Sequence, residues 1–191
     1  TINPRLFPEQ LEYIINHAED RLLFVDATLL PVLAQVQGKI PNVEKVVVLT
    51  SDAAMPEAVK GKLQSYESFI AGQPETFDWP ELDERTASSL CYTSGTTGHP
   101  KGVLYSHRST VLHAYACCMA DAVGVTGRDS VLAVVPMFHA NAWGLPYNAP
   151  MVGTKLVFPG PKMGDAAMLV TLMNEEGVTM AAGVPTVWTL L

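Results

Sequence analysis

The chain is short of cysteine, of basic charge and of long apolar runs, and each shortage excludes something. Its 191 residues include three cysteines, Cys91, Cys117 and Cys118. An odd number with two adjacent makes no disulfide framework, and the spacing matches no zinc site. They read as small buried apolar side chains of a protein in a reducing cytoplasm. Twelve lysines and arginines stand against 19 acids, a net charge of −7. Phosphate-backbone binding needs a basic face, so nucleic acid is not expected as a partner. No apolar run approaches the ~18 residues of a membrane helix. No basic-then-apolar leader opens the sequence. His17, His107 and His113 lack metal-site spacing and read as surface or packing residues. Internal repeats and low-complexity tracts are also missing.

What the sequence does have is apolar material. At 48% hydrophobic, it carries enough for a buried sheet, in one domain or a piece of a larger one. Pro8 to Ala18 places Leu11, Ile14, Ile15 and Ala18 on one helical face, with Pro8 in the first turn. Leu22–Val25 is a short strand, Asp26 caps a helix running to about Gln37, and Lys45–Leu49 is a β-branched strand. This β-α-β rhythm predicts an α/β fold, a mostly parallel sheet with helices on both faces. Residues 51–89 break the rhythm with Pro56, Pro74, Pro80 and an acidic run, a solvated connection with one helix near Leu63–Ile70.

Beyond it, Ser106 or Ser109 caps a helix to about Val123, stopped by Gly124, with Val111, Tyr115, Cys118 and Ala122 as its core face. Val131–Val135, Thr154–Phe158 and Val178–Ala182 read as strands. Asp165 caps the helix that precedes the last of them.

The densest chemistry lies between those halves. From Thr93 to Gly98 there are four hydroxyls and two glycines in six residues, followed by His99, Pro100, Lys101 and Gly102. Glycines let successive N–H groups converge and a ligand approach closely. The hydroxyls of Ser94, Thr96 and Thr97 add donors, and Lys101 adds a charge that can follow a phosphate. Short strands on either side, Ser89–Tyr92 and Val103–Tyr105, make this a hairpin tip built to hold a polyanion. It is not a Walker A loop. Two residues rather than four separate Gly95 from Gly98, and Lys101 follows a proline.

The string Tyr92-Thr93-Ser94-Gly95-Thr96-Thr97-Gly98-His99-Pro100-Lys101-Gly102-Val103 resembles the phosphate-loop signature of the adenylate-forming (AMP-binding) superfamily. A second block, Pro136-Met137-Phe138-His139-Ala140-Asn141-Ala142-Trp143, resembles that family's aromatic and histidine motif in its fatty-acyl-CoA synthetase form. A third, Ala182-Gly183-Val184-Pro185-Thr186-Val187-Trp188, resembles a later strand-to-helix segment. The resemblance spans essentially the whole chain.

That resemblance implies an acid–thiol ligase acting on a carboxylic acid, ATP and coenzyme A, with Mg²⁺. The acid is activated as an acyl adenylate with loss of pyrophosphate, then passed to the thiol. Thr93, Ser94, Gly95, Thr96, Thr97, Gly98 and Lys101 would hold the phosphates, with Thr93 also ligating Mg²⁺. His139 would lie beside the acid's carboxylate, with Ala140 against the nucleotide or acyl group. Trp143 would gate the acyl tunnel, and Val184 and Pro185 would line the substrate. A homodimer of the full-length enzyme is also implied.

Residues 1–191 would then be part of the large N-terminal domain. Within it, 1–50 form an α/β segment, 51–89 the connection, 90–105 the phosphate-binding hairpin and 106–191 a second α/β segment. Thr1 is not methionine, and Leu191 falls just inside a helical start. A fragment is therefore expected, without the C-terminal domain and inactive alone. Two readings compete. An amino-acid adenylation domain would place an aspartate near the aromatic motif, and residues 136–150 contain no acid. A nucleotide-binding module without ligase chemistry stays open, because the family's remaining catalytic residues lie beyond this sequence.

Overall fold

A computed structural model describes residues 1–93 and 98–191. They fall into two compact units, one of Ile2–Glu81 with 98–102, the other of Leu82–Thr93 and Val103–Leu191 with Thr1.

In the first unit, helix α1 (Pro8–His17) starts at its proline, whose missing N–H is no loss in a first turn. It buries Leu11, Ile14 and Ile15, the face that the spacing predicts. Strand β1 (Leu22–Val25) pairs in parallel with β2 (Lys45–Val48), from Leu22 opposite Lys45 to Val25 opposite Val48. Between them the expected long helix is broken up. The Asp26 carboxylate accepts from the Thr28 N–H and caps a 3₁₀ turn, Ala27–Leu29. Then come a short α2 (Leu30–Ala34) and another 3₁₀ turn, Gln37–Lys39. Pro31 has no N–H to continue the ladder, and Gly38 is a poor helix former. Leu11 and Ile15 pack with Leu33, Val36 and Ile40.

A two-residue strand that the sequence reading did not anticipate, β3 (Gln64–Ser65), joins β2 in parallel. The Ser65 hydroxyl then accepts from the Ser68 N–H to start α3 (Tyr66–Ile70).

Strands β4 (Ala87–Thr93) and β5 (Lys101–Ser106), the latter in the second unit from Val103 on, form a two-stranded sheet. Ser106 caps α4 (His107–Cys118) through the Ser109 N–H. A parallel sheet follows, with β6 (Ser130–Ala133) between β7 (Lys155–Val157) and β8 (Met180–Ala182). All four residues of β6 are buried, as a central parallel strand requires. Successive side chains point to opposite faces. Leu132 and Val134 meet Leu169 of α7 (Ala166–Glu175), while Val131 and Ala133 meet Leu145 of α6 (Leu145–Val152). Helices therefore cover both faces of this sheet. Leu132 is fully buried and Leu169 is 1% exposed, each contributing roughly 1.5–3 kcal/mol of burial. The α7 N-terminus is capped by Asp165, as its position predicts. A final short helix, α8 (Pro185–Trp188), opens on its proline.

The core face of α4 differs from the expected one. Ala114 and Cys117 are buried, whereas Val111 and Tyr115 are exposed. The helix packs on α6 through its small side chains, which allow close approach. It also ends at Cys118, so Ala122 is no longer on any helical face.

Candidate functional site

On either side of residues 94–97, Thr93 ends β4 and Lys101 begins β5, and both are exposed. Gly98 takes φ +95°, a conformation that glycine adopts freely. The His99 ring stacks on Tyr13 of α1, with centroids 4.3 Å apart. Ser94, Gly95, Thr96 and Thr97 lie outside the described residues. Among the described residues no three His, Cys, Asp or Glu side chains cluster as a metal cage. The Thr93 hydroxyl is an oxygen donor, the atom type that Mg²⁺ takes alongside its waters.

The second unit holds a cavity of about 380 Å³ lined by Tyr105, Ser109, Thr110, His113, Ala140, Asn141, Trp143, Gly144 and Tyr147. That volume lies within the ~300–1,000 Å³ usual for small-molecule sites. No lining residue carries a carboxylate or a permanent positive charge. Of the sequence candidates, the structure brings Ala140 and Trp143 together here. His139 directly precedes the turn that carries them, exposed, with its N–H donating to the Pro136 carbonyl at 3.0 Å. Val184 and Pro185 start α8 and line no part of this cavity.

The other lining residues were missed by the sequence reading, and His113, exposed as its reading expects, also lines the cavity. The available signal was a polar stripe, Ser109, Thr110 and His113, spaced by three and four on the helix after the loop.

Two features shape the cavity wall. The turn α5 (Ala140–Trp143) is left-handed: φ is 44°, 51°, 50° and 57° at Ala140, Asn141, Ala142 and Trp143. Non-glycine residues avoid this region, at about 1–2 kcal/mol each. Gly144 continues it with φ +78°, and a Cβ there would stand 2.6 Å from His113 Nδ1. Glycine is needed both for the backbone and for the ring's approach.

The Asn141 side chain ties the turn down. Its Oδ1 accepts from the Cys91 thiol at 3.2 Å. Its Nδ2 donates to Ser89 Oγ at 3.0 Å and Tyr147 OH at 3.4 Å. Behind the cavity, Cys117 Sγ lies 3.7 Å from both ring nitrogens of His113. Burial pushes the Cys117 thiol above its ordinary value, against a hydrogen bond with Asn148, so it stays a neutral packing group. Cys91 is buried as well, while Cys118 is half-buried.

A family model described as AMP-binding enzyme matches residues 1–191. The chain is 56% identical over 189 residues to a 3-methylmercaptopropionyl-CoA ligase of Ruegeria pomeroyi, covering 98% of this chain and 35% of the relative. It is 53% identical over 188 residues to a medium-chain-fatty-acid–CoA ligase of Ectopseudomonas oleovorans, covering 98% and 34%. A long-chain-fatty-acid-CoA ligase of Archaeoglobus fulgidus has a similar structure, with TM-score 0.83 at 26% identity over all of this chain and 35% of that one. The chain thus spans about a third of the length of these relatives. With the family model matched from end to end, the chain belongs to the AMP-binding enzyme family.

Proposed function

We propose that these residues are part of an ATP-dependent carboxylate–CoA ligase, within its large N-terminal domain. The observation that carries this is the identity of 56% and 53% to two CoA ligases across nearly the whole chain. In this reading, 90–105 form the phosphate-binding segment between the α/β segments 1–50 and 106–191, with 51–89 as a connection that is solvated apart from the stretch around β3, which packs on the first sheet. The 191 residues alone are expected to be inactive, since they span about a third of the length of the ligases they match.

A carboxylate oxygen attacks the α-phosphorus of ATP, the bond to the β-phosphate oxygen breaks, and pyrophosphate leaves with the bond's electron pair. The coenzyme A thiol then displaces AMP from the acyl group. A carboxylate is already ionised at neutral pH, so the first step needs no general base. It needs alignment and charge neutralisation. The loop amides, the hydroxyls of Ser94, Thr96 and Thr97, and Lys101 hold the β- and γ-phosphates. Mg²⁺ held at Thr93 would supply further neutralisation of phosphate charge.

His139 sits beside the acid's carboxylate and Ala140 against the nucleotide or acyl group. Val184 and Pro185 border the substrate. The acid's tail enters the cavity past Trp143. The absence of a carboxylate from that lining supports a plain acid over an amino acid, whose ammonium would need a partner. The names of the two relatives point to small or medium acids. The reading also puts the enzyme in a reducing cytoplasm and makes the full-length protein a homodimer, which sedimentation would check.

The test is carboxylate-dependent ATP–pyrophosphate exchange by the full-length enzyme, across acids from propionate to palmitate. Exchange peaking at one chain length is expected. Nucleotide binding without exchange on any acid would make it a non-catalytic nucleotide module.

A further inference from the structure

Four consecutive residues, Ala140 to Trp143, hold a left-handed backbone. A conformation of this kind persists only when its surroundings over-determine it. Alanine and tryptophan have no local preference for it. Asparagine does, since its short amide tolerates this region better than other non-glycine side chains. The Asn141 side chain also hydrogen-bonds to neighbouring elements. It receives the Cys91 thiol and donates to Ser89. Both partners lie on β4, on alternate residues of the strand that reaches Thr93 two positions later. A third bond, to Tyr147 OH, ties the turn to α6 and to another wall of the same cavity.

Resting on the proposed acid site, we infer that Asn141 is a positioning residue: its amide latches the left-handed turn to β4 and so fixes Ala140 and Trp143 in the cavity wall. It touches the reaction through those residues rather than through the reacting atoms. The same strand leads into the phosphate loop, so the latch sets the acid cavity against the strand that enters the phosphate site. Released, the turn would relax toward right-handed geometry and carry Trp143 with it. Acid binding would weaken while nucleotide binding stayed as it was.

The experiment uses the full-length enzyme with Asn141→Gly, Ser89→Ala and the double variant. Glycine keeps the left-handed backbone accessible and removes only the amide, so it separates the latch from conformational strain. Losing three neutral hydrogen bonds, each at the low end of its usual worth, predicts about a tenfold rise in KM for the acid. The expected kcat stays within about threefold and KM for ATP within about twofold. Ser89→Ala should raise acid KM by a smaller factor. The double variant should match Asn141→Gly alone, because both changes remove one shared interaction. Acid KM unchanged in Asn141→Gly, or raised equally for ATP, overturns the inference.

Hydrogen exchange over residues 137–148 gives a readout independent of turnover. About tenfold faster exchange in Asn141→Gly supports the latch, and wild-type exchange overturns it. Should wild type activate no acid, the proposed function fails, and hydrogen exchange still decides for or against the latch.

Discussion

The indole Nε1 of Trp188 donates to the carbonyl oxygen of Gly183 at 3.1 Å, and the same ring fills the space that a side chain on Gly183 would need. A Cβ there would lie 2.6 Å from Trp188 Cζ2 and 3.2 Å from the Val134 Cβ. The junction between β8 and α8 is thus closed by one ring on one bare backbone.

Gly183→Ala in the full-length enzyme is therefore expected to cost about 1–3 kcal/mol, the range for overpacking a filled interior. Urea unfolding checks it, and a wild-type midpoint would show that the ring yields without cost. Trp188→Phe should cost about 1 kcal/mol by orphaning the Gly183 carbonyl.

A second expectation concerns acid. The Thr126 hydroxyl, the Thr179 hydroxyl and the Thr126 N–H all donate to Asp129 and hold its carboxyl below the ordinary carboxylate range. A depressed folded-state value means stability that is fully present above the unfolded value of about 3.9. That stability is lost as pH falls through the lower, folded value. Asp129→Asn should weaken the fold at neutral pH and flatten its further loss below about pH 4. Unfolding midpoints for both proteins between pH 7 and pH 3 measure it, and parallel curves would remove Asp129 from the acid response.

Lys101→Ala should slow adenylation in the full-length enzyme by about 10- to 100-fold while leaving nucleotide binding in place. Charge-assisted hydrogen bonds are worth roughly 1.5–3 kcal/mol, or about one to two decades of rate. Single-turnover acyl-adenylate formation, compared with equilibrium ATP binding, separates the two effects. An unchanged rate would take Lys101 out of the phosphate site.

Much of this was legible in sequence where a local rule and the fold agree. Pro8, Ser106 and Asp165 each start a helix where their chemistry says they should. The apolar runs around Val47 and Leu132 became buried parallel strands. The phosphate-loop string named the family before any coordinates.

The misses have physical reasons too. Helix α6 hides behind Pro150 in its interior, a residue that argues against a helix unless neighbouring packing holds it. The two-residue β3 exists because β2 offers it a free edge, which no local pattern announces. Beyond the polar stripe on α4, the cavity could not be read from sequence because its wall depends on a left-handed turn and on a glycine spacing one helix from another. Neither has a period in the sequence.

That left-handed turn also inverts an engineering rule. Glycine within a helical turn ordinarily weakens a protein, because it adds freedom to the unfolded chain. At Ala140 and Ala142 the sign reverses, since alanine there carries a steric penalty of about 1–2 kcal/mol that glycine avoids. A saturation library over positions 140–143 would therefore return glycine as the thermostabilising choice at the two alanines, in a stretch where ordinary design practice would remove it. Such variants would melt later and select acids less sharply, so heat resistance and chain-length discrimination would be drawn in opposite directions by the same four residues.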